Sequence, residues 1–328
     1  MTSDFFKDKS ILITGGTGSF GQRFIKKILA ETEPHRVIVF SRDEFKQSQM
    51  LANIDDPRGC LRFFIGDVRD LDRLLMAFRE VDYVVHAAAL KQVPALEYNP
   101  FEAVKTNILG TQNVITAAIE RGVEKVVLVS TDKAANPANL YGATKLCAER
   151  LMISSNAYAG GRTRFAAVRY GNVIGSRGSI AQVIAEQRKG GVLTLTHEDM
   201  TRFLITLDQG VELVALSLEK MQAGEIFVPK VPSIKMKDFF TIMAPGCAIK
   251  IIGIRPGEKL HEVLVTPEEA KHTKEYANYY VIFPEHTWWH HQEKYQDGNN
   301  LSEGFHYASH TNTEWFDEAS LKRLIAQI

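Results

Sequence analysis

Tyr141 and Lys145 stand four apart in the stretch STDKAANPANLYGATK, Ser130 to Lys145. On a helix that spacing puts a phenol and an ammonium on one face. A nearby ammonium favours the phenolate and moves a tyrosine from about 10 toward working pH. The result is a base able to take a proton from a sugar hydroxyl. The apolar run Val126 to Val129 just before it reads as a buried parallel strand. Asp132 and Lys133 then fall at a strand's carboxyl end, where open α/β sheets bind ligands. An acid, an amine and an activated phenol would face one pocket. The competing reading is an exposed Asp–Lys pair with a chance Tyr/Lys spacing. The motif by itself does not separate the two, so the surrounding elements have to.

Those elements follow in order. Ser10 to Thr14 reads as a buried strand, followed by GGTGSFG and a helical run from Gln22 to Leu29. Gly15, Gly18 and Gly21, with Thr17, Ser19 and Phe20 between them, would let the backbone approach a pyrophosphate at a helix N-terminus. Val37 to Phe40 is the second strand, and Ser41-Arg42-Asp43 with Lys46 follow it. Arg42 suits an adenosine 2′-phosphate and so points to NADP. Asp43 keeps NAD open, and a solvated surface arginine is the plain alternative. Arg62 to Ile65 is the third strand. Asp67 after it can meet the adenine amino group, with Val68 against the ring, or can cap the helix Asp70 to Phe78. Asp82 to His86 is the fourth strand, and Ala87, Ala88 and Ala89 are small enough for a dinucleotide to lie against. Asn107, in a helical stretch, either serves the fold or supports the catalytic loop.

Phe165 to Arg169 reads as the sixth strand, and its carboxyl-end loop offers Asn172 and Val173, then Arg177. Ile180 to Lys189 reads as a helix, Leu193 to Thr196 as a strand, Phe203 to Leu218 as a helix, and Gly224 to Val228 as a strand. Lys250 to Gly253 reads as a strand that leads through Arg255-Pro256-Gly257-Glu258 to a helix from Leu260. Arg255 could clamp a diphosphate and Glu258 a ribose, or both could simply form a Pro-Gly turn. Candidate substrate contacts are therefore Lys91, Ser130, Thr131, Asn172, Val173, Arg177, Thr194, Arg255 and Glu258. The tail carries HTWWHH, His306 and His310, but His290 and His291 are adjacent, not the i,i+4 pair one helix face needs for a metal. A packed aromatic tail is the better reading, and no metal is expected.

The pattern is α/β: a doubly wound parallel sheet of the Rossmann type with a smaller, discontinuous lobe. Residues 1–175 and about 203–230 would bind the dinucleotide, and about 176–202 with 231–328 the substrate. Lys+Arg and Asp+Glu are equal at 39 each, which gives no charge excess for nucleic acid or a membrane surface. Cys60, Cys147 and Cys247 are far apart and read as free cytosolic thiols. No signal peptide or membrane span is expected, so the expected place is the cytoplasm.

Taken together, GGTGSFG, FSRDE, GDVRD, HAAALKQVP, STDKAANPANLYGATK, RYGNVIGSRGS and IIGIRPGEKLHE resemble the extended short-chain dehydrogenase/reductases. More narrowly, they resemble the short inverting UDP-N-acetylglucosamine 4,6-dehydratases that open the pseudaminic acid pathway. The likeness runs from about Ile11 to His261 and returns at Tyr307 to Ser309 and Asn312. HTWWHH has no counterpart in it. Longer membrane-anchored relatives share the Asp-Lys pair but usually carry Met at the place of Tyr141. Retaining 4,6-dehydratases carry Asp-Glu at the place of Asp132-Lys133.

The resemblance implies a tightly held, recycled NADP and a homo-oligomer, a hexamer. It also implies a product destined for flagellin or surface glycans. It gives Tyr141 the proton of the 4-hydroxyl, Lys145 the nicotinamide ribose and Thr131 a hydrogen bond to the same oxygen. Lys133 would take the carbon 5 proton, and Asp132 would protonate the leaving 6-hydroxyl. Those last two roles require a neutral lysine and a protonated aspartate, hence a dry pocket. The alternatives are a retaining dehydratase, a nucleotide-sugar 4-epimerase and a non-catalytic NADP-binding sensor.

Overall fold

The computed structural model describes residues 3–286, 289 and 292–326. The strands of its first half are β1 (Ser10–Thr14), β2 (Arg36–Ser41), β3 (Leu61–Ile65), β4 (Tyr83–His86), β5 (Lys125–Val129), β6 (Arg164–Val168) and β7 (Asn172–Val173). Between them run helices α1 (Ser19–Glu31), α2 (Glu44–Asn53), α3 (Leu71–Ala77), α4 (Val93–Tyr98), α5 (Pro100–Ala103), α6 (Gly110–Arg121) and α7 (Leu140–Ser154). The chain continues through α8 (Ile180–Gln187), β8 (Val192–Leu195), β9 (Thr201–Ile205), α9 (Leu207–Lys220), β10 (Ile226–Pro229), β11 (Ser233–Lys235) and β12 (Ala248–Ile251). Its last strands are β13 (Val263–Val265), β14 (Thr273–Glu275), β15 (Tyr279–Ile282), β16 (Asn299–Asn300) and β17 (Tyr307–Ala308).

Strands β1 and β4 are buried along their whole length, as parallel strands covered on both faces must be. They lie in a ten-stranded sheet of order β16-β14-β15-β10-β6-β5-β4-β1-β2-β3. From β10 to β3 every pairing is parallel, which is the doubly wound arrangement expected. Strand order reverses at β1, so the crevice beyond β1 and β4 is the topological switch point. Helix α1 packs beside α9, while α3, α6 and α7 form a second group. A second apolar cluster joins Ile184, Leu193, Leu204, Ile234, Phe239 and Leu321, and is the core of the smaller lobe.

Three expectations need correction. Phe203 is not helical: Thr201–Ile205 is a buried strand paired with β11 and β7. The helix starts only at Leu207, where Thr206 and Gln209 form a reciprocal capping box. No helix begins at Leu260. Val263–Val265 is a strand held by β17, so its partner lies far along the chain. Finally, β14, β15 and β16, placed by sequence with the smaller lobe, extend the large sheet antiparallel beyond β10.

Candidate active site

The glycine turn sits on the switch point. Gly15 has φ +67°, and a Cβ there would lie 2.9 Å from the Ala88 backbone, so the turn and the Ala87–Ala89 segment touch. A Cβ on Gly21 would lie 2.6 Å from Gly16. Gly18 is the N-cap of α1 and has no side chain to cap it, which leaves the first-turn amides open to an anion. This cradle fits a dinucleotide diphosphate. At the end of β2, Lys46 pairs with Asp43, whose carboxylate also accepts from the Lys46 amide and caps α2. Arg42 is largely exposed and reaches Asp67 at 3.5 Å. Asp67 is not the helix cap; Asp70 is. Ser41 accepts from the buried Gln47, and Val68 is buried.

The catalytic turn follows β5. Ser130, Thr131 and Asp132 are buried, and Asp132 is fully so. Asp132 Oδ1 accepts from Thr131 Oγ1 and from Lys133 Nζ, both at 2.9 Å. Helix α7 presses onto this turn through Gly142, where a Cβ would stand 2.2 Å from the Lys133 carbonyl oxygen. Asn139 caps α7 by accepting from the Gly142 amide at 2.8 Å, and donates to the Gly257 carbonyl at 2.8 Å. Asn107 lies in a π-helical turn and grips both the amide and carbonyl of Leu90, at 2.8 and 2.9 Å, and the Thr144 hydroxyl at 3.0 Å. It therefore ties the loop after β4 to the helix that carries Tyr141 and Lys145. Ser130 Oγ, Asp132 Oδ2 and Asn172 Oδ1 are buried without a hydrogen-bond partner among the described residues. Such groups call for a partner, water or the polar part of a ligand.

The electrostatics differ from those expected. Burial raises Tyr141 above its ordinary value, and Lys133 and the Thr131 hydroxyl only partly offset this. Lys145 donates to the Val129 carbonyl at 2.8 Å, and burial lowers it to about 8. Nor does the ion pair at the turn leave Lys133 neutral. Burial opposes its charge, yet Asp132 and Glu262 hold its ammonium well above the ordinary range. Burial raises Asp132, the direction an acid requires.

Sequence reasoning missed the groups behind this. Glu262 is 2 % exposed and lies 3.3 Å from Lys133 Nζ, opposite Asp132. Arg202 on β9 and Lys259 approach Glu262 at 3.7 and 3.8 Å. Also missed is Arg169, fully buried between Glu149 and Glu269. His86 was passed over as well. It is buried between the Thr14 and Thr111 hydroxyls and kept neutral by burial, then by Lys145, at about 3.

Other expected contacts are placed as follows. Arg177 donates to the Thr17 carbonyl, and its amide to the Ser19 hydroxyl at 3.0 Å, so it bridges to the glycine turn. Lys91 is exposed, and partial desolvation with the charges of Arg177 and Lys133 lowers its ammonium. Val173 pairs with Ile205. Thr194 is engaged by Gln187 at 2.9 Å within the smaller lobe. Glu258 accepts from the Arg255 amide at 3.2 Å and lies 3.7 Å from Arg202, while the Arg255 side chain is exposed. In the tail, Trp289 packs on Phe283 at 4.9 Å, and His261 stacks on His310 at 4.2 Å. His290 and His291 lie outside the described residues.

A partly buried lysine between two buried acids, beside a Tyr-x-x-x-Lys helix and a glycine turn, can abstract and return protons next to a nicotinamide. Comparison with known proteins agrees with that chemistry. Residues 11–284 match the family described as "Polysaccharide biosynthesis protein". A Campylobacter jejuni protein named UDP-N-acetylglucosamine 4,6-dehydratase (inverting) is 47% identical, covering 98% of each chain. A Rickettsia conorii protein named UDP-glucose 4-epimerase is 42% identical over 84% of this chain and 83% of its own. The X-ray structure of Pen from Bacillus thuringiensis superposes with a TM-score of 0.89 at 39% identity, covering 98% of each chain. The chain belongs to the polysaccharide biosynthesis protein family of extended short-chain dehydrogenase/reductases, beside the inverting UDP-N-acetylglucosamine 4,6-dehydratases.

Proposed function

We propose that this chain is an NADP-dependent UDP-N-acetylglucosamine 4,6-dehydratase that inverts carbon 5. It yields UDP-2-acetamido-2,6-dideoxy-β-L-arabino-hex-4-ulose, the entry to pseudaminic acid, and works in the cytoplasm as a homo-oligomer. The observation that carries the reading is the ion pair of buried Asp132 with partly buried Lys133 beside Tyr141. Oxidation at carbon 4 needs Tyr141 alone. Only loss of water across carbons 5 and 6 needs a second acid and base.

A bound nicotinamide dinucleotide supplies hydride acceptance at the start and hydride return at the end. The Gly15–Gly21 turn would hold its diphosphate, Lys145 its nicotinamide ribose, and Arg42 with Lys46 a 2′-phosphate. Asp43, the acid that could instead meet a free 2′-hydroxyl, caps α2 and pairs with Lys46, so the preference for a 2′-phosphate rests on the exposed Arg42. Tyr141 takes the 4-hydroxyl proton, and Thr131 hydrogen-bonds the same oxygen. The ketone acidifies the carbon 5 proton. One proton moved from Lys133 Nζ to Asp132 Oδ1, along their 2.9 Å hydrogen bond, sets both reactive forms at once: a neutral amine and a protonated carboxyl. Lys133 then removes the carbon 5 proton, the electron pair forms the 5,6 double bond, and Asp132 protonates the departing 6-hydroxyl as water. Tyr141, protonated since the first step, returns a proton to carbon 5 from the other face.

The test is an NMR spectrum of the product formed from UDP-N-acetylglucosamine in heavy water. The expected product is the L-arabino 4-keto sugar with one deuterium at carbon 5. Lys133→Met should still reduce cofactor yet release no dehydrated sugar. Near wild-type dehydration by that variant removes Lys133 as the base, and a D-xylo product overturns inversion. The Rickettsia relative favours a second reading, a 4-epimerase, which product mass separates: no water is lost.

A further inference from the structure

Glu262 lies outside the residues that the proposed chemistry uses, yet it is among the most enclosed carboxylates near the site, at 2 % exposure. It sits just before β13, in a segment pinned to the rest of the molecule. Its amide donates to Ser309 Oγ at 2.9 Å, and the Ser309 amide donates to its carbonyl at 2.8 Å. Its Oε1 is 3.3 Å from Lys133 Nζ and 3.7 Å from Arg202 Nε. Among the described residues its Oε2 has no hydrogen-bond partner, and the Lys259 ammonium lies 3.8 Å away. The Lys133 ammonium therefore stands between two buried carboxylates, Asp132 at 2.9 Å and Glu262 at 3.3 Å.

The two carboxylates are not equivalent. Burial favours the protonated form of Asp132. For Glu262, burial would raise the carboxyl, but Lys133, Arg202 and Lys259 together hold it below its ordinary value. Asp132 can thus take and give a proton, while Glu262 keeps its charge. We propose that Glu262 is a positioning residue of this site: it clamps Lys133 opposite Asp132 and remains its countercharge once Asp132 carries a proton. The inference rests on the dehydratase reading.

The role has a chemical purpose. A proton on carbon needs a strong base, and a neutral lysine surrounded only by Arg202 and Lys259 would be a weak one. A fixed carboxylate restores its strength by stabilising the ammonium formed as the proton arrives. Tyr141 on α7 and Lys91 after β4 also act on Lys133, Glu258 and His261 reach the cluster only through Arg202, and Arg169 through Lys259.

The experiment measures two steps across pH in single turnovers of the holoenzyme: reduced cofactor by absorbance, and deuterium entry at carbon 5. In Glu262→Gln, the acidic limb for carbon 5 should move down by about 1–3 pH units, the effect of losing one opposite charge at this range. Its plateau should fall, while the reduced-cofactor step, which belongs to Tyr141, keeps its profile. Glu262→Asp should restore most of the limb. Lys259→Met removes a cation instead and should move the limb up, which decides the matter if Glu262→Gln does not fold. A limb unmoved in Glu262→Gln, or unmoved or lowered in Lys259→Met, overturns the inference. Wild-type enzyme that releases no dehydrated sugar overturns the dehydratase reading itself, a distinct outcome.

Discussion

Arg169→Met should destabilise the chain severely. Arg169 is fully buried at the carboxyl end of β6, and each of its N–H arms has an acceptor. Nε and Nη2 donate to Glu149 at 3.2 and 2.7 Å, Nη1 and Nη2 to Glu269 at 2.9 and 3.0 Å, and Nη1 to the Leu264 carbonyl at 3.0 Å. Methionine fills much of the volume but leaves two carboxylates facing each other without a cation. Removing one member of a buried ion pair costs about 3–5 kcal/mol, against a total stability of roughly 5–15 kcal/mol. The sign with pH follows from Glu269. Burial opposes its charge, yet Arg169 holds it below its ordinary value, so its stabilisation is present above about 4.5 and lost as pH falls through the lower folded value. Without Arg169, only the Thr266 amide and Arg150 offset burial, so that carboxyl rises. The variant's penalty is then present above the raised value and relieved as pH falls. Urea unfolding at pH 7.5 and 5.5 should show a gap to wild type that narrows on acidification, and Glu149→Gln with Glu269→Gln added should close most of it. A loss under about 1 kcal/mol, the range of an exposed pair, or a gap that widens in acid, would refute the reasoning.

Tyr141→Phe keeps the ring and loses the base, so the reduced-cofactor signal after substrate addition should fall by about 10²–10⁴-fold; near-normal turnover would move the base elsewhere. Arg42→Ala should weaken NADP binding by about 1.5–3 kcal/mol, the scale of a charged hydrogen bond, and leave NAD binding little changed. Calorimetry that returns equal NADP affinity would dismiss the 2′-phosphate contact.

Much of the dinucleotide half was legible because local signals agree there. Ser10–Thr14 and Lys125–Val129 are short apolar runs followed by small or polar residues, and they form the strands expected. The smaller lobe was harder to read. Thr201–Ile205, TRFLI, has only three consecutive apolar residues, too few for periodicity to assign, and its distant partners β11 and β7 make it a strand. Val263–Val265 carries two β-branched residues, but the Pro-Gly turn ahead of it suggested a helix from Leu260. That misreading hid Glu262, which a helix would have turned elsewhere. Glu149, Arg169 and Glu269 come from three elements, so nothing in the sequence announced their meeting. The Tyr141–Lys145 spacing was read correctly as helical, but its electrostatics were not. Desolvation of a phenol cannot be judged before its surroundings are known.

The charge pattern at the catalytic turn bears on which reaction the site serves. Tyr141 and Lys145 are as useful to a 4-epimerase as to a dehydratase, so they do not discriminate. The Asp132–Lys133–Glu262 array does. Burying charges is costly unless they are paired, and here Asp132, Glu262, Lys133, Arg202 and Lys259 all gather at the junction of the sheet and the smaller lobe. Transfer of a proton from Lys133 to Asp132 changes no net charge, so the cluster can pass from resting to reactive form without drawing a proton from solvent. The same transfer leaves Glu262 as the carboxylate still charged against Lys133, and the amine it faces is then poised to be protonated again by substrate. An epimerase performs no elimination and gains nothing from a rearrangement of this kind. Structural need alone would be met as well by an apolar contact. The lysine held between an acid that can be protonated and one that stays charged is therefore the feature that most favours removal of water.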